Sequence, residues 1–327
     1  MLNELMTTAN AAELIERGGK LAIAGPKVDL ERLPAGHWIG GTIPYFMLPS
    51  GGTVVTDGKV FVTDLSAVGD VHIAYQPADD LAGIARNAPE NGFSFTIIPA
   101  GSSAHQRFAA EAASYEGAFL KPTVGWIAGV HLSDLGHDTA LVYDGRTRTA
   151  HADGAVVAYV GLPDDKAALV EIVNLFEADG TDVLTFDETS FAVRRCRVNG
   201  EQVDFAEYVR QRGLEHGRLP LVGDFAGARV NVSLQSVGSD GTVALYAPVF
   251  PGVDYHFARQ VPDYAAAFRD QLEHVSPQGV VLGCNCILNF LYGELEGKAI
   301  GGVAGPVTFG EIAYQLLNQT MVMVRIV

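Results

Sequence analysis

The chain has 327 residues, 48% of them hydrophobic and 18% charged, which allows a sizeable core and argues against a disordered chain. Acidic residues outnumber basic ones 38 to 22, and a net charge of −16 sets the surface against nucleic acid and anionic lipid as partners. The apolar runs are broken by Gly, Pro or charge well short of the ~20 residues that a membrane span needs.

Residues 11–17 read as a helix stopped by Gly18-Gly19, and a short strand, Leu21 to Ala24, follows. Residues 36–47 are the densest aromatic stretch, with His37, Trp38, Tyr45, Phe46 and Met47 on glycine-framed backbone. A serine-capped helix over 102–116 buries Phe108, Ala109 and Ala112 and ends at Gly117. After the run from Val124 to His131, strands over 139–143 and 154–160 are expected to pair through a turn at Asp144-Gly145. The charged stretch Pro163 to Lys166 is the expected boundary between two halves, 1–163 and 164–327.

The second half repeats the order. A strand over 243–250 is followed by an amphipathic helix from Asp263 to His274, with Tyr264, Phe268 and Leu272 on one face. Then come a strand from Gly279 to Cys284, the glycine-rich run 301–307 and a final strand from Thr320. Gly125-Trp-Ile-Ala-Gly-Val and Gly301-Gly-Val-Ala-Gly-Pro echo each other, which suggests two related units. Helices alternating with hairpins predict an α+β fold, a layered sandwich of mixed β-sheets flanked by helices.

No dinucleotide fingerprint, phosphate-binding loop, nucleophile elbow or His-Glu-x-x-His motif is present. Polar and thiol groups instead gather near the C-terminus. Cys284 and Cys286 share one side of a strand end, a placement that suits a buried small hydrophobe, a ligand wall, or a soft metal or redox pair. The nearest histidine to them, His274, lies on the preceding helix. Asn285, Asn289, Tyr292 and Glu294 follow, where layered folds often place ligand sites or where a polar loop satisfies its own backbone. Glu311 would receive a ligand amino group, act as an acid or base, or cap the segment Ile312 to Leu317. The three cysteines are too few for a disulfide framework, and residues 1–6 carry acid where a signal peptide carries base, so a cytoplasmic setting is expected.

In order, these motifs resemble the FIST domains, bacterial ligand-sensing modules with N- and C-terminal parts. The resemblance rests on Cys284, Phe309-Gly310-Glu311-Ile312 and Asn318-Gln319-Thr320. In the first half it rests on Trp38 to Thr42, Gly125 to Gly129, Val142 to Gly145 and Asp153 to Val157. It covers roughly residues 20–327 and departs from the family at Asn285-Cys286, where a basic residue is common. It implies a cytoplasmic protein that binds a small ligand between its halves, lined by Trp38, Tyr45, Cys284, Asn285 and Glu311. The sequence shows no kinase, cyclase or methyl-accepting segment, so a sensor would act through a separate signalling or metabolic partner protein. Some FIST proteins are haem-based sensors, which would require His37, His105 or His131 to face the pocket. The alternative is an enzyme that uses a thiol of depressed pKa, or a metal, at Cys284 or Cys286.

Overall fold

A computed structural model describes residues 3–225, 228–273, 275, 278–301 and 303–327. The protein is α+β, with mixed sheets flanked by helices, and the layers follow from which face of each sheet is apolar. The first sheet contains strands Leu21–Gly25 and Trp38–Thr42, which run parallel, and its outer face is covered by helix Thr8–Glu16. That helix starts where the Thr7 hydroxyl accepts the Asn10 amide at 3.2 Å and buries Ala11 and Ile15.

The second sheet is the middle layer. Its parallel pair, Gly92–Pro99 and Thr123–Ala128, is joined through helix Ser103–Glu111, which packs Ala104, Phe108 and Ala109 against the sheet. In the third sheet Val280–Cys286 runs parallel to Gly305–Thr308, and helix Ile287–Tyr292 lies in the crossover. Helix Tyr264–Leu272 adds Phe268 and Leu272 to the same large core. The first and third sheets share that core with the second, so the fold is a layered sandwich.

Strands from both sides of the expected 163/164 boundary share sheets. Glu311–Ala313 pairs with Thr123–Ala128, and Gly305–Thr308 pairs with Tyr45–Leu48. A separate core, from Leu184 to Phe257, belongs to a lobe with its own sheets and helix Phe205–Gln211. No helix among the described residues is long and apolar enough to cross a membrane.

Several local expectations change. The turn after Asp144 pairs Val142–Asp144 with Thr149–His151, and the longer strand Ala155–Gly161 joins the second sheet instead. The segment after Glu311 is a hairpin rather than a helix, so Glu311 caps nothing and is itself a strand residue. The helix after Asp263 ends at Leu272, and His274 lies outside the described residues. The two echoing segments are the second strand of one β-α-β crossover and the approach to the second strand of the other.

Candidate functional site

Both crossovers leave their parallel strands at the same place. A cavity of about 680 Å³ lies there, walled by Ala100 and Gly101 after the first strand of one pair and by Gly129 and Val130 after the second. Cys286 ends the first strand of the other pair, and Phe309 follows its partner. Four carboxyl ends of parallel strands thus meet at one cavity, the position where open α/β sheets hold ligands. Gly129 is needed for this approach, because a Cβ there would lie 2.1 Å from the Phe309 ring. The separate lobe closes the wall with Phe191, Gln235, Leu245 and Tyr246.

The wall has a clear chemical character. Among the described lining residues there is no Lys or Arg, and Asp138 is the one carboxylate. His105 supplies the most exacting polar group. The Ser102 hydroxyl caps its helix by accepting the His105 amide at 3.0 Å, and Asp153 accepts the Ala104 amide at 2.8 Å. The His105 ring accepts the Gly101 amide on Nδ1 at 3.2 Å. In the neutral ring the proton therefore sits on Nε2, which is shielded from solvent and has no partner. Burial pushes this histidine down to about 4, so it is a neutral N–H donor at physiological pH.

Behind the Cys286 wall lies a dense cluster of buried polar side chains: Asn231, Ser233, Asn285, Asn289, Thr308, Glu311, Asn318, Gln319 and Thr320. Glu311 is its one carboxyl group. Its Oε2 accepts the Thr320 hydroxyl at 2.8 Å and the Thr320 amide at 3.3 Å, while Oε1 accepts the Thr308 hydroxyl at 3.3 Å. Burial outweighs these bonds and pushes the carboxyl up to about 8, so it is mostly neutral at pH 7. Asn289 ties the neighbouring elements, donating to the Thr320 carbonyl at 3.0 Å and to Asn285 Oδ1 at 2.8 Å, and accepting the Tyr264 hydroxyl at 2.6 Å.

None of the five residues expected to line the ligand site is on this cavity's wall. Trp38 is buried beneath helix Thr8–Glu16, stacks on Tyr143 and donates its indole N–H to Pro34 at 2.9 Å. Tyr45 stands behind the wall, stacked on His131 and tilted against Phe290, and its hydroxyl accepts the Leu132 amide at 3.0 Å. Cys284 sits between sheets and donates to the Gly125 carbonyl at 3.4 Å. Asn285 accepts the Cys286 amide and leaves its Nδ2 buried without a partner. Glu311 lies inside the polar cluster, where a neutral carboxyl has no charge to offer a ligand amino group. The strand of Cys284 and Cys286 does pack against the strand that begins at Glu311.

The thiols differ from the enzyme alternative's expectation. Burial first, and Glu311 second, push both well above the ordinary thiol range rather than below it. No group of three His, Cys, Asp or Glu suited to a metal occurs among the described residues. Two of the three histidines considered for haem have a ring nitrogen engaged by the backbone. The Nδ1 atoms of His105 and His131 each accept a backbone amide, which leaves the proton on the nitrogen an iron would need. His37 lies by Lys20 and Arg146, and burial and those cations lower it.

Fold and cavity together define an α+β protein with a largely uncharged cavity at the ends of two β-α-β crossovers. The chain belongs to a family of unknown function, DUF6976, whose model matches residues 6–327. No curated protein matches the chain.

Proposed function

We propose that this protein binds a small, uncharged or weakly cationic amphipathic ligand in the 680 Å³ cavity, in a sensory role of the kind the FIST resemblance implies. The convergence of four parallel-strand ends on one cavity carries this reading. An anionic ligand would meet no Lys or Arg on the described wall. Phe191, Phe309, Leu245 and Leu288 supply the apolar surface that a compact organic molecule would bury. Three unpaired cysteines support a cytoplasmic setting, and the output would pass to a separate protein.

Native mass spectrometry of the purified protein, paired with thermal-shift screening of neutral, cationic and anionic metabolites, tests the proposal. We expect a neutral or cationic molecule to bind wild type and Cys284→Ser alike, and to bind more weakly to Phe309→Ala, which removes apolar wall. No bound mass and no thermal shift from any class would refute the ligand site, and a preference for anions would refute its chemistry.

A further inference from the structure

We propose that the loop over residues 130–140 divides one ligand site into two chambers, and that the second chamber takes an organic ammonium group. The inference rests on the 680 Å³ cavity being a ligand site and assigns the charged end of its ligand.

A second cavity, of about 550 Å³, adjoins the first and shares Gly129, Val130, Asp138 and Thr139 with it. It lies where a third parallel pair ends. Pro26 and Lys27 follow Leu21–Gly25, Ile43 and Pro44 follow Trp38–Thr42, and Gly129 follows Thr123–Ala128. Carboxyl ends of parallel strands open onto this space as they do onto the first. Between the two spaces stands a loop that leaves from and returns to one residue, Thr42. The Gly129 amide donates to the Thr42 carbonyl at 2.8 Å. On the return, the Leu141 amide donates to Thr42 Oγ1 at 3.0 Å, and the Thr42 amide donates to the Leu141 carbonyl at 2.9 Å. Ends held this close make a compact Ω-type loop. Inside it the His137 and Asp138 amides both donate to the Asp134 carbonyl at 2.9 Å, and the Leu132 amide is held by the Tyr45 hydroxyl.

The loop sorts its side chains by chamber. Leu132 and Leu135 line the first cavity, His131, Ser133 and Asp134 line the second, and Asp138 and Thr139 line both. The second chamber has a floor of buried Ile43 and Val55 beneath an exposed rim. On that rim the carboxylates of Glu31, Asp134 and Asp138 stand against the single lysine Lys27. Lys27 and Glu31 are four residues apart along one short helix, a spacing at which opposite charges offset. Asp134 and Asp138 remain. Asp134 Oδ1 accepts the Ser133 hydroxyl at 3.0 Å and Asp138 Oδ1 the Thr139 amide at 2.8 Å, and neither carboxylate is in an ion pair among the described residues. Both are exposed, so a ligand reaches them without opening the fold. Carboxylates only accept, which matches the N–H groups of a protonated amine, and a chain of net charge −16 draws a cation toward them. One amphipathic amine meets both walls, with its charge beside Asp134 and Asp138 and its carbon chain among Leu132, Leu135 and Phe309.

Calorimetric titration of the full chain with n-octylammonium, n-octanol and n-octanoate tests the assignment. We expect octylammonium to bind about tenfold more tightly than octanol, and octanoate to bind most weakly of the three. Asp134→Asn combined with Asp138→Asn should bring octylammonium to the level of octanol and leave octanol unchanged. Added salt should shrink the same advantage in wild type. Phe309→Ala should weaken both probes by one factor, because it removes wall from the uncharged chamber alone. Both aspartates are at the surface, so the double variant should keep the fold, which matching thermal melts verify. Equal binding of octylammonium and octanol to wild type, or a preference that survives the double substitution, overturns the ammonium chamber and leaves the uncharged cavity as a ligand site. Binding of neither probe overturns both.

Discussion

Trp38 and Glu311 are both fully buried, one among apolar side chains and the other among hydroxyls and amides. Trp38's own polar demand is met locally: one indole N–H, one carbonyl four residues away. Around Glu311 a carboxyl is kept from water by strands distant in sequence, and its bonds do not offset the cost of burying its charge. The first region is what a sandwich needs to stand. The second is a buried polar network around a carboxyl that burial keeps mostly protonated at pH 7.

The largest effect should come from Trp38→Ala. Removing this ring from a packed outer layer should cost about 3–5 kcal/mol of unfolding free energy while leaving ligand binding in the remaining folded protein unchanged. Chemical denaturation with parallel binding checks it, and lost binding in folded protein would erase the distinction between the two regions.

Next is the pH dependence that Glu311 imposes. Its folded value, about 8, stands above the ordinary value of 4.5, so the folded state holds a proton that the unfolded chain gives up first. The stabilisation is complete below 4.5 and is lost as pH rises toward 8, at roughly 1 kcal/mol per pH unit, levelling above that. Glu311→Gln should flatten this slope in denaturation curves taken from pH 5 to 9. A wild-type slope that survives the substitution assigns the effect to another group.

The smallest effect is at the helix that carries His105. Ser102→Ala removes the hydroxyl that caps it and should cost about 1 kcal/mol. Thermal melts check it, and an unchanged midpoint would show that the hydroxyl adds nothing to the helix.

Much of the sandwich was readable in the order of strands, caps and glycines. The stop at Gly18, the Ser102 cap and the face made by Phe108 and Ala109 follow from local spacing, and the structure has them. The α+β class was readable for the same reason. Long-range pairing was not. Thr149–His151 is short and exposed, yet it, and not the apolar strand after it, completes the hairpin from Val142, because Ala155–Gly161 finds two better-matched partners. The closing motifs did point to a place where the strand of Cys284 and Cys286 packs against that of Glu311. Which of them would face a cavity depended on the layer packed against each side of one strand. The contribution of Phe191, Gln235 and Tyr246 comes from a lobe whose docking leaves no trace in local pattern.

The meeting of four strand ends also bears on how the protein folds. Those ends fall near residues 99, 128, 286 and 308, so the cavity joins contacts among the most distant in sequence. Loop closure of that length is slow, and neither crossover encloses the space alone. The cavity should therefore be among the last features to form, and a molecule bound there would grip only the finished fold. Its binding energy would be felt as global stability, delaying unfolding of both sheets together rather than tightening one loop.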